Sequence, residues 1–188
     1  MKDSVPRLRR VGARVLLREA TEADAKTMNM WQSDRAYWMG EFNYFDSEPV
    51  RDYVAELTGS DRLVTRDGGT LLVEHIVDGS LLGDVTWRPA RYGPNERSKC
   101  WNIGIALIPS ARGQGYGAEA QRLFAELLFD VTAAVRVEAS TDVQNTAEIR
   151  SLEKAGFVRE GVARQAQYRH GEWHDMVVYS VVRADLTV

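Results

Sequence analysis

The stretch Ile108-Pro-Ser-Ala-Arg-Gly-Gln-Gly-Tyr-Gly-Ala-Glu-Ala120 carries three glycines, Gly113, Gly115 and Gly117, on alternate positions. An apolar run, Trp101 to Ile108, precedes it. Ala120, Leu123, Phe124, Leu127 and Leu128 follow with helical spacing. Glycine carries a large entropy cost on ordering, so three at a helix entrance need a reason. After a strand and before a helix, exposed amides and the helix dipole favour an anion. Glycines let a ligand reach the main chain, and a guanidinium at Arg112 can add a bidentate phosphate contact. The segment reads as a phosphate or pyrophosphate cradle. On the glycines alone, a flexible surface loop accounts for it equally well.

Working outward, Arg14 to Arg18 reads as a strand. Thr21-Glu-Ala-Asp24 has the spacing of a helix start, and that helix is expected to run to about Trp31. Ser47-Glu-Pro49 is expected to open a second helix. Leu71 to Val77 and Leu81 to Trp87 look like a hairpin around Asp78-Gly79, a type I′ turn pair. Trp101 to Ile108 adds a third strand to this meander. After the long helix come a short strand at Val135 to Ala139 and a helix at Asn145 to Ala155, ended by Gly156. Two further strand-like stretches lie at Val162 to Tyr168 and Trp173 to Val182.

The chain has 188 residues, 44% hydrophobic and 27% charged, which suits one globular domain over 1–188. Its net charge of -3 carries no footprint for nucleic-acid binding. Cys100 is the lone cysteine, so an intrachain disulfide and a C-x-x-C metal or redox motif are excluded. In its apolar run it reads as a buried small hydrophobe. No apolar run approaches the ~20 residues that span a bilayer, and the basic first residues lack an apolar h-region. A cytoplasmic, membrane-free protein without a metal is expected.

Three phosphate motifs compete for the glycine loop. A P-loop fails, because no Gly-Lys-Ser/Thr follows. A dinucleotide fingerprint matches formally at Gly113, Gly115 and Ala118, with Glu138 as the later acid. Its context is wrong: Pro109 to Arg112 separate the strand from the glycines, and too little chain follows for a doubly wound sheet. The third motif is Arg112-x-x-Gly115-x-Gly117.

That motif resembles the acetyl-CoA loop of the GNAT superfamily of N-acetyltransferases, and most closely the RimJ/RimL-type group. Two further stretches carry the resemblance: Asn145-x-x-x-x-Arg150-x-x-Glu-Lys-Ala-Gly-Phe157 and Arg169-x-Gly171-x-Trp173-x-Asp175-x-x-x-Tyr179. It implies an α+β fold layered α/β/α. A mostly antiparallel mixed sheet of six to seven strands would splay between its fourth and fifth, with about four helices. It also implies roles. Main-chain groups of Ala106, Leu107 and Ile108 would pair with the pantetheine arm. Arg112 and the amides of Gly113, Gln114, Gly115, Tyr116 and Gly117 would hold the pyrophosphate, and Asn145 would bond the arm. A main-chain N–H at Leu107 would stabilise the oxyanion while a primary amine attacks the thioester directly. The amine would belong to a protein N-terminus or a small molecule such as an amino acid, polyamine or amino sugar, with the enzyme a monomer or homodimer. A non-catalytic acyl-CoA sensor is the rival reading.

Two positions depart from the family. Relatives often carry Ser three residues after the Asn, to protonate the thiolate; here it is Glu148. Asn145-Thr-Ala-Glu148 also has capping-box spacing, so Glu148 is a cap or an acid. Relatives often carry Glu where Asn102 stands, and Asn cannot act as a base. Glu74, Asp84, Glu172, His170 and His174 are the candidates left for that role. Trp31, Trp38, Phe42, Tyr44 and Phe45 form an aromatic group that is core or acceptor wall. His75 reads as an inner-layer histidine, and Asp175 as an anchor for backbone or an arginine.

Overall fold

A computed structural model describes residues 7–34, 38, 40–42, 50–60 and 62–186. In chain order the elements are β1 (Arg9–Val11), β2 (Val15–Glu19), α1 (Ala25–Ser33), α2 (Tyr53–Ser60), β3 (Val64–Thr65), β4 (Gly68–His75), β5 (Leu81–Arg91), β6 (Lys99–Leu107), α3 (Tyr116–Val131), β7 (Arg136–Asp142), α4 (Thr146–Lys154), β8 (Val158–Arg169) and β9 (Glu172–Val182). The sheet order is β1-β2-β4-β5-β6-β7-β9-β8, with β3 paired to β4. Among the described strands only β6 and β7 run parallel. The sheet is larger than expected because β1 and β3 are short pieces without an alternating pattern.

Each face of the sheet carries its own core. Val15, Leu17, Leu71, Val73, Val85, Trp87, Trp101 and Ile103 pack with Phe124 and Leu128 of α3 and with Leu152 of α4. On the opposite face Leu72 joins Met28 of α1 and Tyr53 and Leu57 of α2. Strand alternation sorts these sets: odd residues of β4 face α3, and even ones face α1 and α2.

The β6–β7 pairing runs only from Trp101↔Val137 to Ile103↔Ala139. Past Ile103 the strands continue, to Leu107 and Asp142, without pairing. This parting is the expected splay. β5 stays paired with β6 to its end, through Gly83↔Leu107.

Several local expectations need correction. The Asp78-Gly79 turn is not a two-residue type I′ turn. β4 ends at His75, Ile76 and Val77 lie outside it, and His75 N–H donates to Ser80 O at 2.8 Å across a longer loop. Ser47–Pro49 lies outside the described residues, as do Tyr44 and Phe45. The described second helix is capped by Asp52, whose Oδ1 accepts from the N–H of Val54 at 3.1 Å and of Ala55 at 3.3 Å. His75 is not in the inner layer. It sits half-buried at a strand end, with Nδ1 2.9 Å from Asp78 Oδ1. Ala155 is the C-cap of α4, and Gly156, expected as the cap, follows it in the left-handed conformation at φ +92° that stops the helix. Cys100 is buried as expected, and desolvation pushes its thiol up to about 11. Asp175 anchors backbone: its Oδ1 accepts from Gln165 N–H at 2.8 Å, where β8 bulges.

Candidate functional site

The gap between β6 and β7 opens into a cleft of about 610 Å³. Its walls are the end of β6, the glycine loop, α4 and the segment Gly40–Phe42. The register determines which main-chain groups look into it. Ile108 N–H donates to Leu82 O at 2.9 Å, so Ile108 and Ala106 turn their polar groups toward β5. By the same alternation Ile105 and Leu107 turn theirs toward the gap. Of the expected trio Ala106, Leu107 and Ile108, only Leu107 therefore offers its N–H to a ligand there.

The glycine loop begins with a 3-10 turn at Pro109–Ala111. Gly113 lies at φ +73° and Gly115 at φ +84°, in the left-handed region that disfavours side chains. A Cβ at Gly113 would meet nothing within 4 Å. Gly115 is the N-cap of α3, so the first amides of that helix open at its entrance. Gly117 has another purpose: a Cβ there would lie 3.1 Å from Ser151 Oγ and 3.6 Å from Leu107 Cδ1. It lets α3 start close against α4 and β6. Gly113, Gly115 and Gly117 line the cleft, while Gln114 and Tyr116 do not. Gln114 Nε2 donates back to Ser110 O at 2.7 Å, and the Tyr116 ring meets His75 edge-on at 5.6 Å.

Arg112 departs from expectation. Its Nε donates to Leu107 O at 2.9 Å and its Nη2 to Trp38 O. The fork that would hold a phosphate instead ties the end of β6 to the segment before the second helix. Asn145 caps α4 by accepting from Glu148 N–H at 3.2 Å, and its Nδ2 donates to Thr141 Oγ1 at 3.0 Å. One amide proton is left over for a ligand.

The capping box is only half present. Asn145 N–H donates to Asp142 O at 3.0 Å, so the Glu148 carboxylate has no cap to complete. Instead its Oε1 accepts from Gln121 Nε2 at the cleft wall. Desolvation pushes this carboxyl up to about 7, although the Gln121 bond opposes the shift. A carboxyl poised there can donate a proton at neutral pH.

The other candidates divide clearly. Glu74 is ion-paired to Arg18 at 2.5 Å. His174 Nδ1 lies 2.9 Å from Asp142 Oδ2 within a network that includes Arg169. His170 and Glu172 are exposed at the β8–β9 turn. Asp84 is buried at 8% exposure and makes no hydrogen bond or ion pair among the described residues. Asn102 accepts from Arg88 Nε at 3.3 Å. Glu138 accepts from Tyr92 OH at 2.7 Å and pairs with Arg136, which removes it as a ribose-binding acid. Trp31 and Trp38 stack at 4.8 Å, and Arg169 lies 5.6 Å over the Phe42 ring.

Sequence reasoning gave no site role to Arg14, Arg150, Ser151 and Lys154, although Arg150 and Lys154 stand in the Asn145–Phe157 motif. The last three line the cleft with Ala147 and Glu148. Their spacing of three and four is one helix face, a signal legible beside Asn145. Arg14 comes from the start of β2, distant in sequence, and donates to Gln114 O at 2.9 Å and to Glu119.

A cradle with left-handed glycines, open space at Gly113 and a cleft of this size fits a long pyrophosphate-bearing ligand. Comparison with known proteins agrees. The family model described as acetyltransferase (GNAT) domain matches residues 14–158. A Bacillus subtilis (strain 168) protein named "Probable N-acetyltransferase YjcK" is 36% identical over 83 residues, 44% of this chain and 46% of that protein. The match thus spans about half the length of that curated relative. RimL, a ribosomal L7/L12 alpha-N-protein acetyltransferase solved with coenzyme A, aligns with TM-score 0.75 and 19% identity over 94% of this chain and 98% of its own. Mycobacterium smegmatis RimJ, solved with a CoA disulfide, aligns with TM-score 0.76 and 19% identity over 98% and 88%. At that identity the two structures attest the fold. The family match, taken with the splayed strands and the glycine loop, makes this chain a member of the GNAT acetyltransferase family.

Proposed function

We propose that this protein is an acetyl-CoA-dependent N-acetyltransferase that moves the acetyl group directly to a primary amine, on a protein N-terminus or a small molecule. The observation that carries the reading is the N–H of Leu107, turned into the gap where β6 leaves β7. The glycine cradle lies at one end of the same cleft and Glu148 in its wall.

The amides of Gly113 to Gly117 hold the pyrophosphate at the entrance of α3. The free amide proton of Asn145 bonds the pantetheine arm, and Arg150 and Lys154 add positive charge along the cleft. Bound acetyl-CoA supplies an activated acyl thioester. Leu107 N–H donates to the oxygen that gains charge as the amine adds. Glu148 protonates the departing sulfur. Much of the acceleration comes from holding amine and thioester in line.

The test is free-thiol release from acetyl-CoA with a panel of primary amines and N-terminal peptides. Turnover with at least one acceptor is expected. Tight CoA binding with no thiol release across the panel would instead make the protein an acyl-CoA sensor. Stabilisation by NAD but not by CoA would overturn the cofactor as well.

A further inference from the structure

Amine attack needs a base as well as an acid, and the family's usual position holds Asn102. Asp84 sits on β5, directly opposite Ala106 of β6 and Leu72 of β4. Opposed residues of an antiparallel pair project to the same face, with Cα atoms about 5.5 Å apart in a hydrogen-bonded pair. Asp84 and Ala106 take the hydrogen-bonded register, because two residues on Ile108 N–H donates to Leu82 O at 2.9 Å. The side chains of Ile105 and Leu107 face α3, where Gly117 meets both. Asp84 therefore lies beside Ala106, a residue of the cleft wall, on the face that α1 and α2 cover.

A buried carboxylate normally takes several hydrogen bonds. Asp84 has none among the described residues. Among the described residues, the charged and titratable groups facing it come from the first residue of α2 and the segment just before it. They are Arg51, which pairs with Glu56 at 2.5 Å and stacks over Tyr53 at 4.7 Å, and Tyr53 itself. From β4 and β6 it meets only Leu72 and Ala106 in register. A cationic amine reaching the cleft from this face would meet an unsatisfied acceptor one strand from Ala106 and the proposed oxyanion donor Leu107.

We propose that the Asp84 carboxylate is the general base that binds the incoming ammonium and takes its proton. The inference rests on the transferase reading above. The ammonium gives one proton to Asp84, directly or through one water. The freed lone pair forms the N–C bond to the acyl carbon, the C–S bond breaks, and the sulfur leaves as a thiol with the proton of Glu148. The amide nitrogen releases its second proton to solvent, and so does Asp84, while Glu148 is reprotonated from solvent. Burial pushes the Asp84 carboxyl up to about 7, against the pull of Arg51, which suits proton exchange at neutral pH.

The test is the pH dependence of kcat/KM in the parent and in Asp84→Asn, with CoA binding measured alongside. The expected result is a fall of about a hundredfold or more. The acidic limb should flatten while the CoA dissociation constant is kept. Asp84→Glu, which restores a base at shifted reach, should recover part of the rate. A folded Asp84→Asn within about threefold of the parent, acidic limb intact, overturns the proposal alone. A parent that binds CoA but turns over no amine overturns the transferase reading, and the base with it. Should Asp84→Asn not fold, carbon NMR of the parent decides. A carboxyl titrating with the acidic limb supports the assignment, and one silent between about pH 5 and 9 overturns it.

Discussion

Arg112 donates from Nε to the main-chain oxygen of Leu107 at 2.9 Å. The arginine that opens the glycine motif thus fixes the peptide next to the proposed oxyanion donor, and its other nitrogen reaches Trp38 O. Arg112→Lys keeps the charge but loses the fork. The expected outcome is a kcat lower by about tenfold to a hundredfold, since small misplacement of reacting groups is costly. The CoA dissociation constant should stay within about threefold. Calorimetry beside steady-state kinetics checks the split; a large binding loss with kcat intact would return Arg112 to the phosphate.

Gly115 lies at φ +84°, and an added Cβ would sit 3.1 Å from Arg14 Nη2. Gly115→Val puts a β-branched residue in a left-handed conformation, at a cost of roughly 1–2 kcal/mol. Where the pyrophosphate approaches the amides, it should weaken CoA binding by at least about tenfold. Calorimetry on the folded variant tests this. An unchanged constant would mean that the amides of this loop are not the cradle.

Gly83 has φ +151°, and a Cβ there would fall 2.0 Å from Ala106 O. The requirement is packing: β5 bulges and presses on β6 beside the gap. Gly83→Ala combines a Gly-only conformation with a backbone clash and should cost about 3 kcal/mol or more. A urea midpoint unchanged within error would contradict this packing.

The fold was largely legible because its signals are local. The motif Arg112-x-x-Gly115-x-Gly117 and the α3 apolar stripe bracket a strand-to-helix joint, and Asn145 with Gly156 marks both ends of α4. The side-chain chemistry was less legible because tertiary partners decide it. Glu148 has capping-box spacing, yet Asn145 N–H is already bonded to Asp142, and Gln121 from another helix takes the carboxylate. Arg112 looks like a phosphate ligand until Leu107 and Trp38 claim it. Asp84 became distinguishable only when the partners of Glu74, His174 and Asn102 were known.

Glu148→Gln separates acid from cap. With no cap to lose, its stability cost should be small. The folded carboxyl is raised to about 7, so ionising it opposes folding as pH rises through that region. The glutamine lacks that penalty. Its Tm should equal or exceed the parent's at pH 8, and the gap should narrow as pH falls below about 7 and close below the ordinary 4.5. Turnover should fall about a hundredfold or more, with the alkaline limb of the profile lost. A Tm below the parent's at pH 8 with full turnover would restore the cap.

Asp142 and Arg169 form a buried ion pair at 2.6 Å, with side chains 1% and 2% exposed. The pair joins the end of β7 to the β8–β9 hairpin and, through Arg169, to Phe42 O. Removing one partner strands the other charge in the interior, so Asp142→Asn should cost about 3–5 kcal/mol. The acid dependence has a definite sign. Burial alone would raise the Asp142 carboxyl, but Gln144 N–H and Arg169 hold it below its ordinary 3.8. As pH falls through 3.8 the unfolded chain takes up the proton first. The stability this group supplies is complete above that range and is lost as pH drops toward the folded value. Chemical denaturation at pH 7 and pH 3 should therefore give a larger difference between parent and Asp142→Asn at pH 7. An equal difference at both would mean that the carboxylate is not held by this arginine, and that the hairpin is fixed by its ladder to β7 alone.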